Sequence, residues 1–324
     1  MKTYSIKPYC KAVAAILTLI LMSPSYAQDA KPDCALRIAS GPAGKIYELV
    51  VRDIQAVCGS EVSMCSAPSS GGLQNLSLLS ASEAELGIVQ VDTLKDMKEG
   101  DENIKMLQAV MPLHTNLLHV LSLAQGSLVN ASYIKGVAVP MTGSTVTIRK
   151  FSDLKGMTVG VVGSSQHMGQ SLEKQLGYGM KFVIADSDDQ AVGLLNSGQI
   201  QAIFTLGGWP LPSVAKIKNN SGLQLVEYDL KPQVPYLTVK RNYQNLDAFN
   251  LNFLGVPNLL VTRPFKSAGP MAAKVSALHS CIRQHLDELQ EGRYQPIWKE
   301  IKDPAANYGV TAFVPAKGSS SKSK

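Results

Sequence analysis

The sequence predicts an α/β fold built as two lobes joined by hinge strands with a cleft between them. Three observations predict it. Apolar strand, Gly-rich loop and amphipathic helix alternate twice along the chain, which is the order that builds parallel sheets. Two long apolar stretches, Leu117–Ala124 and Phe253–Thr262, flank the second series, so the chain leaves one lobe, builds another and returns. About 297 of the 324 residues follow residue 27, more than one hydrophobic core usually organises.

In the first series, Ala35–Ser40 reads as a strand, Gly41-Pro42-Ala43-Gly44 breaks it, and Ile46–Val57 carries an apolar stripe at helical spacing. Val62–Ala67 (strand), Pro68–Gly72 (loop) and Leu73–Ser82 (helix) follow. Glu85–Val89 reads as a strand, Val91–Lys98 as a helix and Ile104–Val110 as a further strand. The second series comprises a helical turn at Phe151–Gly156, a strand at Met157–Val162 and a helix from Gly163-Ser164-Ser165-Gln166 through Leu176. It continues with Lys181–Ile184 (strand), Asp188–Ser197 (helix, N-capped by Ser187) and Ala202–Thr205 (strand). Ala272–Leu289 is expected to be one long amphipathic helix. These readings place lobe one at 28–122 plus 256–316 and lobe two at 123–255; Gln125–Ile148 is turn-rich and finds no place in either series.

Lys2, Lys7 and Lys11 precede the apolar run Ala12–Met22 and the small-residue sequence Ser25-Tyr26-Ala27, the pattern of a secretory signal peptide over 1–27. Its apolar run is about half of the roughly 20 residues needed to span a bilayer. Met106–Ile134 lacks formal charge, yet Pro112, His114, Thr115, Asn116 and Gln125 make it too polar to span. The expectation is a free periplasmic protein starting near Gln28, without a lipid anchor, because Cys10 and Cys34 both lie away from the cleavage point. Loss of the leader's three lysines lowers the net charge from +6 to +3. With aromatic residues at 6% and no concentrated basic face, a nucleic-acid binder is excluded. The tail, 317–324, reads as disordered.

Cys34, Cys58, Cys65 and Cys281 remain after processing, an even number that favours disulfides in an oxidising compartment. Three pairings are open; a weak preference joins Cys34 to Cys58, as the ends of the first strand and first helix on one sheet edge. Neither CxxC spacing nor a His-rich cluster points to a metal, and no cofactor is expected.

The chemistry is expected in loops at the carboxyl ends of strands, where helix N-termini present unpaired N–H groups. Four loops take that position: Ser40–Gly44, Ser69–Gly72, Gly163–Gln166 and Gly207–Trp209. Glycine lets a backbone approach a ligand closely, and serine both donates and accepts. The set Ser40, Gly41, Gly44, Ser70, Gly71, Gly72, Gly163, Ser164, Ser165, Gly207 and Gly208 suits a carboxylate or similar anion. Gln90 and Asp92 follow a strand end and could reach the same cleft, although Asp92 equally reads as a helix N-cap. Tyr47 and Trp209 read as cleft walls or as ordinary packing. Lys45 reads as a counter-charge or as a solvated lysine. Gly41–Lys45 is not a phosphate loop, because its glycine spacing is wrong and Ile46 replaces the hydroxyl residue. Nor does Gly163-Ser164-Ser165-Gln166-His167 fit a serine-hydrolase elbow. Without a metal spacing or carboxylate pair, no catalytic residue is assigned.

These residues resemble the TAXI family, the solute receptors of TRAP-type secondary transporters. The likeness runs through Leu36–Gly41 with Gly44 and Tyr47, through Ser69–Leu76 including Asn75, and through Ala84–Asp92. It continues in Asp153–Gly160 with Gly163-Ser164, and in Gly207-Gly208-Trp209-Pro210. It departs from the pattern at Lys45-Ile46, at His114-Thr115-Asn116, at 125–148 and after Tyr308. The resemblance implies a type II periplasmic binding-protein fold, lobe closure on a small carboxylate such as glutamate or 2-oxoglutarate, and delivery to a TRAP-type membrane permease. A periplasmic sensor that signals to a membrane kinase without transport is the alternative reading.

Overall fold

The structure is a computed structural model that describes residues 34–129, 133–134, 137–138, 143–267 and 269–316. The expected leader and tail lie outside the described residues. In chain order the first half runs β1 (Leu36–Ala39), α1 (Ile46–Cys58), β2 (Met64–Ala67), α2 (Gly72–Ser80), β3 (Leu86–Gln90), α3 (Val91–Met97), α4 (Glu102–Lys105) and β4 (Gln108–Leu123). Four short strands follow: β5 (Ser127–Val129), β6 (Tyr133–Ile134), β7 (Val137–Ala138) and β8 (Ser144–Val146). A 3₁₀ turn at Phe151–Leu154 then leads into β9 (Thr158–Val162), α5 (Ser165–Leu176), β10 (Lys181–Ala185), α6 (Asp188–Asn196) and β11 (Ala202–Gly207). The rest comprises α7 (Pro212–Ala215), β12 (Leu223–Leu225), β13 (Leu237–Tyr243), β14 (Ala248–Thr262), α8 (Pro270–Gln284), α9 (Leu286–Leu289) and a 3₁₀ turn at Pro296–Glu300.

The main sheet has the order β10-β9-β11-β4-β14-β3-β1-β2, with β12 added to β4 and β13 added to β14. At one end β1 pairs in parallel with β2 and β3, and at the other β9 pairs in parallel with β10 and β11. Between them β4 and β14 run antiparallel to each other and to the parallel strand beside each. Two parallel half-sheets joined through two long antiparallel strands form the type II periplasmic-binding-protein arrangement, two α/β lobes with the crossing strands as hinge.

Apolar layers cover both faces of each half-sheet. Val50, Val51 and Ile54 of α1 pack with Leu278 and Ile282 of α8 on one face of the first, and Leu76, Leu79 and Leu94 of α2 and α3 cover the other. In the second, Met168 and Leu172 of α5 join Phe151 and Phe204, while Leu195 of α6 packs with Ile203 and Phe253 on the opposite face. Strand β3 is buried along its whole length, as a parallel strand covered on both faces must be.

The structure corrects three expectations. Ile104–Val110 and Leu117–Ala124 are not separate strands: α4 occupies Glu102–Lys105, and Gln108–Leu123 is one continuous strand. Pro112 does not break it, because the register with β14 shifts between Pro257 and Leu259 and a bulge absorbs the missing donor. The long C-terminal helix divides at His285 into α8 and α9. Cys34 bonds Cys65, not Cys58, and Cys58 bonds Cys281. Parallel pairing of Leu36 with Met64 starts β1 and β2 at the same edge and brings Cys34 to Cys65. Cys58, at the far end of α1, is buried against α8 instead. The Ser187 cap forms as expected, its hydroxyl accepting from Gln190 N at 3.2 Å. Of the turn-rich segment, β5 and β8 pair antiparallel, as do β6 and β7.

Candidate functional site

Loops from both lobes leave the strands at their carboxyl ends, and glycine conformation shapes three of them. Gly44, Gly71 and Gly163 have φ of +71°, +126° and +57°, a region open to glycine at little cost. Gly44, Ser70, Gly163 and Ser164 are exposed on these loops, whereas Ser40, Tyr47, Asn75, Gln90, Asp92 and Ser165 are buried.

Several of the buried polar groups serve the fold. Asn75 Nδ2 donates to Ser40 O at 2.5 Å and Ile88 O at 2.7 Å, and Asn75 Oδ1 accepts from Ser69 Oγ at 2.5 Å. One amide thus ties together the ends of β1, β2 and β3. Ser40 Oγ lies 2.8 Å from Ser66 Oγ, and Ser165 Oγ bonds to Val162 and Phe204 backbone groups. For these residues only the backbone is left to face a ligand. Replacing Asn75 with Ala strands two buried carbonyls, and we expect a loss of about 2–4 kcal/mol in urea denaturation; a loss under about 1 kcal/mol would show that the amide is not the tie.

Tyr47 and Gln90 converge on the hinge. Tyr47 Oη donates to Asn258 Oδ1 at 2.5 Å, and Asn258 Nδ2 donates to His114 O at 2.9 Å. Asn116 Nδ2 stands 3.4 Å from both Tyr47 Oη and Asn258 Oδ1. Asn258 pairs with Gln90 in the β14–β3 ladder. The Tyr47 and His114 rings meet edge to face at 5.9 Å. Gly41 abuts Tyr47: a Cβ there would lie 3.4 Å from Tyr47 Cβ. A Cβ on Gly72 would lie 3.8 Å from Gln90 N, and one on Gly208 would lie 3.6 Å from the His114 ring. Loop residues of both lobes therefore touch one polar cluster. Among the described residues no hydrogen bond joins Gly163 or Ser164 to it. Trp209 lies further out, its Nε1 donating to Asn242 O at 3.3 Å under the Arg241 guanidinium, 5.3 Å from the ring. Gly207 sits against Leu211.

Asp92 is not the N-cap of α3: Gln90 holds that position without a side-chain cap bond, and the Asp92 carboxylate, in the first turn, accepts from Thr93 N at 2.6 Å and from Tyr236 Oη at 3.1 Å. Tyr236 belongs to the strand-ending loop before β13, so this bond crosses from α3 to the far lobe. Asp96, one turn on, accepts from Ser171 of α5 and faces His167 Nε2 at 3.1 Å.

Burial sets the electrostatics. It pushes the His114 imidazole down to about 4, opposed by the neighbouring Asn116 amide, so the ring is neutral near pH 7. It holds the Asp92 carboxyl above its ordinary range, against the Thr93 N–H, His167 and Tyr236. The Tyr47 and Tyr236 hydroxyls are raised by burial and then by the Asp92 charge, and both remain protonated donors. Of the eight buried side-chain atoms that find no hydrogen-bond partner among the described residues, four lie here: both ring nitrogens of His114, Gln90 Nε2 and Asn116 Oδ1. Each such group costs about 1–3 kcal/mol, and their concentration here is what a polar ligand would relieve. Glu61, Cys281 and His285 come together with Glu61 exposed and His285 half-buried, and Cys281 is already committed to its disulfide.

Sequence reasoning missed His114, Asn116, Asn258 and Tyr236 as site residues. The available signal was polar residues in the middle of two otherwise apolar hinge stretches.

A family model described as the NMT1-like family matches residues 38–264, a span that takes in both lobes and the hinge. The chain belongs to the NMT1-like family. No curated protein matches it. Among solved structures, this NMT1-like protein is similar to an ancestral arginine-binding protein bound to arginine, at 17% identity and a TM-score of 0.44 over 83% of this chain and 98% of that one. It is similar to Tv2483 bound to L-arginine, at 12% identity and 0.46 over 79% and 86%. A third is AbpA from Streptococcus pneumoniae, an amino acid ABC transporter substrate-binding protein bound to L-arginine, at 16% and 0.44 over 83% and 96%. No helix of the described residues is long and apolar enough to cross a membrane.

Proposed function

We propose that this chain is a periplasmic receptor that captures a small, carboxylate-bearing solute by closing its two lobes and delivers it to a TRAP-type membrane permease. The observation that carries the reading is the group of buried, unpartnered polar atoms on His114, Gln90 and Asn116, set at the hinge where loops from both lobes meet. Lobe one is assigned 28–122 plus 256–316 and lobe two 123–255, and the ligand carboxylate is placed against the backbone of the Gly41–Gly44, Ser70–Gly72 and Gly163–Ser165 loops. Helix N-termini favour an anion there by roughly 0.3–1 kcal/mol each when exposed, and by more once closure excludes water. Ligand closes the protein only through its higher affinity for the closed form. The leader-like N-terminus and two disulfides support the periplasmic location.

The test is a thermal-shift screen of the mature protein against amino acids and mono- and dicarboxylates, with calorimetric confirmation. A ligand at a hundred times its Kd adds about 2.7 kcal/mol of stability; no shift across the panel, with a folded protein, refutes the receptor reading. Gly72→Leu projects bulk from the start of α2 toward Gln90, and we expect it to weaken binding by at least tenfold, about 1.4 kcal/mol, with the unfolding transition nearly unmoved. Unchanged affinity would remove that loop from the site.

A further inference from the structure

Helices α3 and α5 belong to different lobes, yet they pack against each other with chemically matched sides. Asp92 and Asp96 stand four residues apart on α3, one above the other, and His167 and Ser171 stand in the same relation on α5. Ser171 Oγ donates to Asp96 Oδ2, and His167 Nε2 lies 3.1 Å from the same oxygen. From the segment before β13, Tyr236 Oη donates to Asp92 Oδ2 at 3.1 Å. His167 also acts electrostatically on the Asp92 carboxyl, against the effect of burial.

Within lobe one this pair of acids is unfavourable. Like charges four residues apart weaken a helix, and a helix of seven residues has little stability of its own. Among the described residues no lysine or arginine forms an ion pair with either carboxylate. Both partners of Asp96 come from the far lobe, and one Asp92 oxygen takes its bond from there while the other accepts from Thr93.

We propose that α3 and α5 form a latch that holds the two lobes together before any solute arrives, with the Ser171 and Tyr236 hydroxyls setting the balance between closed and open forms. Water replaces each partner when the lobes part. Each bond therefore contributes only the difference between a protein and a water partner, a preference of about tenfold for a hydrogen bond to a carboxylate. The latch rests on the two-lobed fold alone; its consequence for binding rests on the receptor reading. Apparent affinity scales with the fraction of protein already in the competent form, so loss of the latch weakens capture by the factor by which the closed fraction falls.

The experiment reads lobe separation in the full mature chain without solute, by electron–electron double resonance between spin labels on Glu83→Cys and Lys181→Cys. Both positions are exposed, the first in the turn after α2 of lobe one and the second at the start of β10 in lobe two. A single short distance is expected to dominate. Ser171→Ala should lower the closed-to-open ratio about tenfold, Tyr236→Phe likewise, and the two together by more than either alone. Ser187→Ala, which removes the hydroxyl that caps α6 outside this seam, should leave the ratio unchanged. A wild type that shows only the long distance overturns the latch. So does a double variant with the wild-type ratio, or a shift in Ser187→Ala as large as that in Ser171→Ala. No reading here involves a solute, so failure of the latch leaves the receptor standing, and silence in the thermal-shift screen leaves the latch standing.

Discussion

Replacing Cys58 and Cys281 together with Ala should lower the unfolding free energy by about 5 kcal/mol on the chain-entropy model. The two cysteines are 223 residues apart, and the loop they close contains all of lobe two and both hinge strands. In the unfolded chain that loop removes more conformational freedom than the 31-residue separation of Cys34 and Cys65, for which the same model yields about 4 kcal/mol. The position matters as well. Cys58 ends α1 and Cys281 lies in α8, both fully buried, so the bond joins the outgoing and returning halves of lobe one. Urea denaturation of the two alanine pairs checks the ordering. Equal losses, or a larger loss for the Cys34 and Cys65 pair, would falsify loop closure as the source of the effect.

The long bond also shows where the sequence was legible and where it was not. The β1–loop–α1 and β9–loop–α5 units could be read locally, since an apolar run, a glycine break and a helical stripe lie within about 25 residues of one another. The Ser187 cap was equally local. Strand β4 was not: Pro112, His114, Thr115 and Asn116 look like a polar interruption, and only pairing with a partner some 140 residues away keeps them extended. The disulfides depend on the same kind of distant information, the parallel register of β1 with β2 and the packing of α8 on α1. The site divides likewise. Its glycine loops announce themselves because backbone conformation demands glycine, whereas the hinge cluster exists only when Tyr47, His114, Asn116 and Asn258 arrive from three separate segments. Polar residues inside an apolar hinge strand are the part of that cluster a sequence can display, and their cost without a ligand is why they are informative.

Acid should destabilise the protein through the two hinge-strand histidines. His114 sits beside Tyr47, and His119 Nε2 lies 2.8 Å from Tyr243 Oη under the Phe253 ring. Burial pushes both imidazoles from 6.5 down to about 4, so the folded protein holds them neutral while the unfolded chain protonates them. Their contribution is fully present above about pH 6.5 and is lost as pH falls toward 4, at up to about 3 kcal/mol per histidine. Asp92 and Glu300, held above the ordinary carboxylate range by burial, act with the opposite sign and reduce the net slope. The comparison is therefore made between the wild type and a His114→Asn, His119→Asn double variant, reading slopes rather than absolute stabilities. Between pH 6 and 5 the wild type should lose stability faster by up to about 2.7 kcal/mol per pH unit, the value for two protons. Equal slopes would mean that the rings are protonated in the folded state.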